Sequence, residues 1–208
     1  MFDVEGFILV GGKSSRMGTD KSRLQIGGRT SVERIAAELR QITRRISLVG
    51  PSRADADPDL KMVPDTHEHW GALGGIHAAL SACTDAWALI VACDLPFVTR
   101  DLCSRLRTLS QEDSPDAVVP MQSDGRPQPL CALYRRESCL LEAEKLIASG
   151  EHTARALLAN VKTRWVRPEE LIDLPGAENF FFNVNTPQDY ERAKQICSAS
   201  SQRITSNH

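Results

Sequence analysis

Leu9-Val10-Gly11-Gly12-Lys13-Ser14-Ser15-Arg16-Met17-Gly18-Thr19-Asp20-Lys21 is the stretch around which the chain is organised. The apolar run Phe7-Ile8-Leu9-Val10 at its head reads as a short buried strand. Two glycines follow at once, where the backbone turns and another group can approach it closely. Three cations, Lys13, Arg16 and Lys21, then stand among hydroxyl side chains. Backbone N–H groups together with positive charge are what a polyphosphate requires. Two familiar phosphate loops are excluded by spacing. A Walker A loop would need glycine five positions before Gly12, where Phe7 stands, and the G-x-G-x-x-G fingerprint is absent here. The bland alternative is a basic surface loop after a strand.

Composition narrows the rest. A chain of 208 residues is long enough for one sizeable α/β domain and little more. A formal net charge of −2 gives no general attraction to nucleic acid, so a phosphate site must be a local concentration of cations. No segment reads as a signal peptide or a membrane span. The six cysteines contain no C-x-x-C pair and no zinc-like spacing, which fits small core residues in a reducing cytoplasm.

Outward from the opening loop, Gly27-Gly28 marks a turn, and Thr30 or Ser31 caps a helix with Val32, Ile35, Ala36 and Leu39 on one face. Ile46–Val49 and Lys61–Val63 read as strands, and a helix is expected over Ile76–Cys83. Trp87–Cys93 is apolar on both faces, as a central parallel strand should be. Thr99 caps a helix carrying Leu102, Leu106 and Leu109, and Ala117–Pro120 is a further strand. Pro129–Tyr134 is extended, its proline placing it at a sheet edge or at the start of a strand. Helices are predicted over Glu137–Ser149 and Thr153–Asn160, strands at Trp165-Val166 and Phe180–Val184, and a last helix opening at Thr186-Pro187. Residues 1–197 form the domain, and the polar stretch Ser198–His208 reads as a disordered tail. Alternating strands and helices mean βαβ units and a mostly parallel sheet with helices on both faces. In such a sheet ligands gather at the carboxyl ends of the strands, which here lead into Gly11, Gly50, Asp65 and Asp94.

The candidate residues follow from that placement. Asp94, after the most apolar strand, is positioned to hold Mg²⁺ on a nucleoside triphosphate, since Mg²⁺ takes one or two carboxylates plus phosphate oxygens; the alternative is a turn or capping aspartate. Lys21 and Arg16 are candidate charge stabilisers for an attacked phosphate and its leaving group, or else solvated cations. Asp65 could accept hydrogen bonds from a base or ribose, or simply close a turn after Pro64. Asn183 and Asn185 lie on one face of an extended segment, where an amide can complete a metal shell or bind substrate; capping of the next helix needs only Asn185 or Thr186.

These motifs in this order resemble the molybdenum cofactor guanylyltransferase family. The resemblance rests on G-G-x-S-x-R-M-G-x-D-K from Gly11, on Gly71-Ala72-Leu73-Gly74-Gly75-Ile76, on Cys93-Asp94-Leu95-Pro96 and on Asn183-Val184-Asn185-Thr186-Pro187. It implies a single Rossmann-like α/β domain of the nucleotidyltransferase type. GTP would bind through Leu9, Val10, Gly11, Gly12, Lys21, Asp65 and Asp94, with Asp94 and Asn185 on Mg²⁺. Arg16, Lys21 and Asp94 would carry catalysis, and molybdopterin would be the acceptor. Other cofactor-biosynthesis proteins or client molybdoenzymes are the implied protein partners, with no role for nucleic acid or membrane. The sequence departs from the family at Val10, often alanine there, at Ala72, usually proline, and at Gly50, where an asparagine can help hold the nucleotide. Arg126, Gln128, His152, Arg155 and Asn183, in polar segments of the second half, are the candidate acceptor contacts, being cations and amide-type donors. The rival readings are a related nucleotidyltransferase using CTP or a sugar phosphate, and a nucleotide-binding module without turnover.

Overall fold

The strand before the glycine-rich stretch lies near the middle of the sheet and is buried along its whole length. The computed structural model describes residues 4–10, 25–51, 59–65 and 70–205, and in it this strand is β1 (Val4–Leu9). The chain continues through β2 (Gln25–Ile26), β3 (Arg29–Thr30), α1 (Ser31–Leu39), β4 (Ile46–Val49), β5 (Lys61–Val63), α2 (Gly71–Ala82) and β6 (Trp87–Ala92). Then come α3 (Arg100–Leu109), β7 (Ala117–Pro120), β8 (Cys131–Arg135), α4 (Arg136–Ala148), α5 (Ala154–Asn160), β9 (Thr163–Val166) and α6 (Pro187–Thr205).

Seven strands form one sheet in the order β5-β4-β1-β6-β8-β7-β9. β5, β4, β1 and β6 are mutually parallel, β8 runs antiparallel to both of its neighbours, and β7 and β9 are parallel. Strand side chains alternate between two cores. Ile8, Trp87, Leu89 and Val91 pack with α1 and α3 through Ile35, Leu39, Leu102 and Leu106. Phe7, Leu9, Ala88 and Ile90 pack with α2, α4 and α5 through Leu73, Ile76, Cys139 and Leu157. Each fully buried aliphatic side chain is worth about 1.5–3 kcal/mol. β1 and β6 bury such groups on both faces, so the strand ends beside them form a rigid rim.

Local chemistry sets the element ends. Thr30, not Ser31, caps α1, in a capping box with Glu33. Thr99 and Thr153 cap α3 and α5. Gly27 and Gly28 take φ of +61° and +79°, the left-handed pair that a two-residue hairpin between β2 and β3 demands. All six cysteines are free thiols. Burial pushes Cys83, Cys131 and Cys139 up to about 12, which makes them inert core groups.

Three expectations are corrected. Phe180–Val184 is not a strand. It follows a 3-10 turn at Ala177–Asn179, and its apolar residues serve packing: Phe180 enters a main core, while Val184 and Phe182 join a smaller one. The helix expected from Ile76 begins at Gly71, because small residues and Leu73 extend the buried face backward. Pro129 takes the second of its two expected placements, the start of a strand, since it precedes β8, an interior strand. Finally, α6 runs on to Thr205, through most of the stretch whose polarity suggested a disordered tail. No glycine or proline interrupts it, and the Ser198 hydroxyl donates back to the Lys194 carbonyl (3.0 Å).

Candidate active site

The parallel strands end in register. Leu9 pairs with Val49 and with Ala92, and Val49 pairs with Val63, so four strands stop in one row. The ladder carries one residue further. Val10 N–H donates to Val49 O (2.8 Å), Gly50 N–H to Val63 O (3.1 Å), and Cys93 N–H to Leu9 O (3.0 Å). Gly50 takes φ of +148°, a backbone conformation that side chains rarely adopt. Beyond this row stand Asp65 and Asp94. Three strand spacings separate them, about 14 Å at about 4.8 Å each, too far for two aspartates to grip one ion. Their roles are therefore separate, with Asp94 beside the exit of β1.

Asp94 is half-buried, and its carbonyl accepts from Val184 N–H (2.9 Å). That bond brings the Asn183–Pro187 motif, some ninety positions away in sequence, onto the metal-candidate turn. Capping of α6 falls to Thr186, whose hydroxyl accepts from Asp189 N–H (3.1 Å). Asp189 in return accepts from the backbone N–H groups of Asn185 (3.1 Å) and Thr186 (2.8 Å). Burial works against the Asp189 carboxylate, but these bonds outweigh it and hold its pKa below the usual range. Asn185, not needed as a cap, is an exposed residue next in sequence to Val184, which bonds Asp94. Asn183 turns back, its amide donating to Phe181 O (3.3 Å). Among the described residues no cluster of three or more His, Cys, Asp or Glu could cage a metal. One aspartate with a neighbouring amide suits Mg²⁺, which keeps waters and phosphate oxygens in its shell.

The Gly71–Ile76 motif brings a helix close. A Cβ on Gly75 would lie 3.1 Å from Leu9 Cδ1, so glycine lets α2 press against the end of β1. Leu9 itself is buried, which leaves only its backbone to face a ligand. Trp70 stands at the start of α2, and its side chain makes no capping bond there. The Trp70 ring packs against His152, with centroids 4.2 Å apart, so the lead-in to α5 sits at this corner of the rim.

The remaining acceptor candidates divide. Gln128 is buried, and its N–H donates to Pro120 O (2.9 Å). Ala92 N–H donates to Leu130 O (2.8 Å), but Cys131 N–H donates to Gln128 O (3.1 Å), so the chain turns just before β8 and Gln128 lies against the end of β7. Arg126 lies further out, where Met121 bridges to Pro127, and is held by Asp124 in its own turn (Nη2–Oδ2 2.6 Å). His152 and Arg155 are exposed on the α2–α5 side. The structure therefore brings the Asn183–Asn185 backbone to Asp94 through Val184, places Gln128 at the end of β7, holds Arg126 in a turn of its own, and sets His152 on the α2–α5 side. Gly11, Gly12, Lys13, Arg16 and Lys21 lie outside the described residues. Sequence reasoning missed Arg34, Phe97, Phe182 and Tyr190, which gather behind the Asp94 turn with Ile26 and Val184. For Arg34 the one local signal is its position at the border of the apolar face of α1.

Comparison with known proteins agrees with this geometry. Residues 6–166 match the family described as MobA-like NTP transferase domain. A protein of Pelotomaculum thermopropionicum named probable molybdenum cofactor guanylyltransferase is 32% identical over 201 residues, covering 96% of both chains. The crystal structure of molybdopterin-guanine dinucleotide biosynthesis protein A from Archaeoglobus fulgidus superposes with a TM-score of 0.80 at 27% identity, covering 94% of this chain and 99% of that one. The 2-C-methyl-D-erythritol 4-phosphate cytidylyltransferase of Thermus thermophilus shares the fold (TM-score 0.68, 18% identity, 92% and 98% covered).

Proposed function

Because the chain belongs to the MobA-like NTP transferase family, we propose that it is a molybdenum cofactor guanylyltransferase, transferring GMP from GTP to the terminal phosphate of molybdopterin with release of pyrophosphate. The observation that supports this best is the alignment of the strand ends. It gathers the exit of β1, Asp65, Asp94 and, through Val184, Asn185 onto one rim.

The chemistry needs no covalent nucleophile. A phosphate oxygen of the acceptor attacks the α-phosphorus of GTP, and the bond to the β-phosphate oxygen breaks. Asp94 and Asn185 would hold Mg²⁺, which supplies charge neutralisation for the phosphates when bound. Lys21 and Arg16 are assigned on sequence to the charge that develops on the attacked phosphorus and the leaving pyrophosphate. The backbone of Leu9, Val10, Gly11 and Gly12 would face the nucleotide, and Asp65, on the far side of β4, the base or ribose. Gln128, Asn183, His152, Arg155 and Arg126 would face the acceptor, Asn183 being next in sequence to Val184, which bonds Asp94. Contacts with other cofactor-biosynthesis proteins or client molybdoenzymes belong to the same proposal. Among the described residues no helix is long and apolar enough to cross a membrane.

The test is pyrophosphate release with molybdopterin, Mg²⁺ and each of GTP, CTP, ATP and UTP. GTP should be preferred, since a site that hydrogen-bonds one base edge rejects analogues that leave its polar groups unpaired. Equal or faster use of CTP would assign the chain to cytidylyl transfer.

A further inference from the structure

Behind the Asp94 turn, one guanidinium ties together three segments that the active site needs in fixed relation. Arg34, half-buried on α1, donates through Nη1 to Ile26 O (3.3 Å), at the first element after the glycine-rich segment. Through Nε it donates to Pro96 O (3.3 Å), two residues beyond Asp94. Nη1 also reaches Cys197 Sγ on α6 (3.5 Å), and the guanidinium carbon stands 5.7 Å from the centre of the Phe97 ring.

The contacts around it close a ring. The Tyr190 hydroxyl of α6 donates to Gln25 O (2.8 Å), and Val184 N–H donates to Asp94 O (2.9 Å). Ile26, Val184 and Ala193 are fully buried between these bonds, with Phe97, Phe182, Tyr190 and Cys197 packed around them. The hairpin turn is fitted as closely: a Cβ on Gly27 would come within 2.5 Å of Cys197 Sγ.

We propose that Arg34 is a positioning residue, with Tyr190 as its support, fixing the distance between the exit of the nucleotide-binding segment at Gln25-Ile26 and the Asp94 turn. The physical reason is the shape of the donor. A guanidinium holds several N–H groups in a rigid plane and can serve two carbonyls on different segments at once, whereas an ammonium is a point charge on a flexible stem. Phosphoryl transfer depends on such spacing, and a displacement of about 1 Å can cost about a hundredfold in rate. The inference rests on the proposed roles of Asp94 and of the glycine-rich segment.

The test compares Arg34→Gln, Arg34→Lys and Tyr190→Phe with the wild type, by steady-state kinetics, by equilibrium GTP binding with and without Mg²⁺, and by thermal unfolding. A loosened ring should lower kcat about tenfold or more in Arg34→Gln. GTP affinity without Mg²⁺ should stay within about twofold, while the gain in affinity on adding Mg²⁺ shrinks. Arg34→Lys should not rescue, and Tyr190→Phe should show the same pattern more weakly. Unchanged kcat and Mg²⁺ response in Arg34→Gln, or full rescue by lysine, would overturn the proposal. So would a loss that merely follows the unfolded fraction. If the Arg34 variants do not fold, Tyr190→Phe decides by the same readouts. Failure of the wild type to turn over GTP would instead refute the proposed function and is seen separately.

Discussion

The two ends of the parallel sheet treat charge in opposite ways. At the amino end, Glu5 of β1 is only 5% exposed, and both its oxygens are taken. Thr84 donates to it from N–H (2.6 Å) and hydroxyl (3.2 Å), and Arg45 forms an ion pair with it while also reaching Asp85 (3.2 Å). Burial pushes the Glu5 carboxyl up, but Thr84 N–H, the Cys83 thiol and Arg45 together hold it below the usual carboxylate range. At the carboxyl end, Val184 N–H donates to the Asp94 carbonyl and Asn185 N–H donates to Asp189. A cavity of about 410 Å³ lies at the amino end, between Glu5, Arg40, Arg45 and Lys61. Its size is a poor guide to chemistry, since Gly11, Gly50, Asp65 and Asp94 follow strands at the other end. Glu5 is wrapped by its own chain through side-chain bonds, whereas Val184 grips Asp94 by its carbonyl.

The strongest way to break this contrast is Asp94→Asn. The change is isosteric, so the unfolding midpoint should hold. Turnover should fall by about a hundredfold or more, as when a preorganised charge-stabilising group is lost. Near-normal rates at ordinary Mg²⁺ would remove Asp94 from the site.

Glu5→Gln should show the reverse pattern. We expect a loss of about 1–3 kcal/mol in unfolding free energy, because Thr84 and Arg45 lose a charged acceptor. The value should lie toward the lower end, since the Arg45 side chain is 57% exposed and can rehydrate. Specific activity below the transition should be unchanged. The depressed pKa sets the pH dependence. The carboxylate's contribution is fully present above its unfolded value of about 4.3 and is lost as pH falls through the folded value. The stability gap between wild type and Glu5→Gln should therefore be constant near neutrality and close below about pH 4. A gap that widens in acid would refute the wrapped-carboxylate reading.

The smallest effects concern the acceptor side. Arg126 is 73% exposed and paired with Asp124, so Arg126→Ala should change molybdopterin binding by no more than about twofold. Arg155, exposed on α5, should matter more, at up to about fivefold, with GTP binding unaltered. Titrations of both ligands would check the ranking, and weaker GTP binding with unchanged molybdopterin binding in both variants would reverse the assignment of the two halves.

The sequence by itself determined the elements whose signals are local. Apolar runs on both faces marked β1 and β6, threonines before amphipathic stretches marked α1 and α3, and the double glycine marked the hairpin after the glycine-rich segment. It also determined the motif order from which Asp65, Asp94 and Asn185 were chosen. The tertiary structure alone decided the rest. Phe180–Val184 has the composition of a strand, yet its backbone N–H groups are taken by local turns at Ala177 and Asn179 and by Asp94 O, not by a neighbouring strand. The choice of Thr186 over Asn185 as the cap depended on Asp189 turning back onto the chain. Arg34 could not be found at all, because its carbonyl partners at Ile26 and Pro96 and its thiol partner at Cys197 become neighbours only when α1, the Asp94 turn and α6 close on one another. Periodicity and caps are written within a few residues, whereas a side chain's partners across the fold are set by packing, which no local pattern encodes.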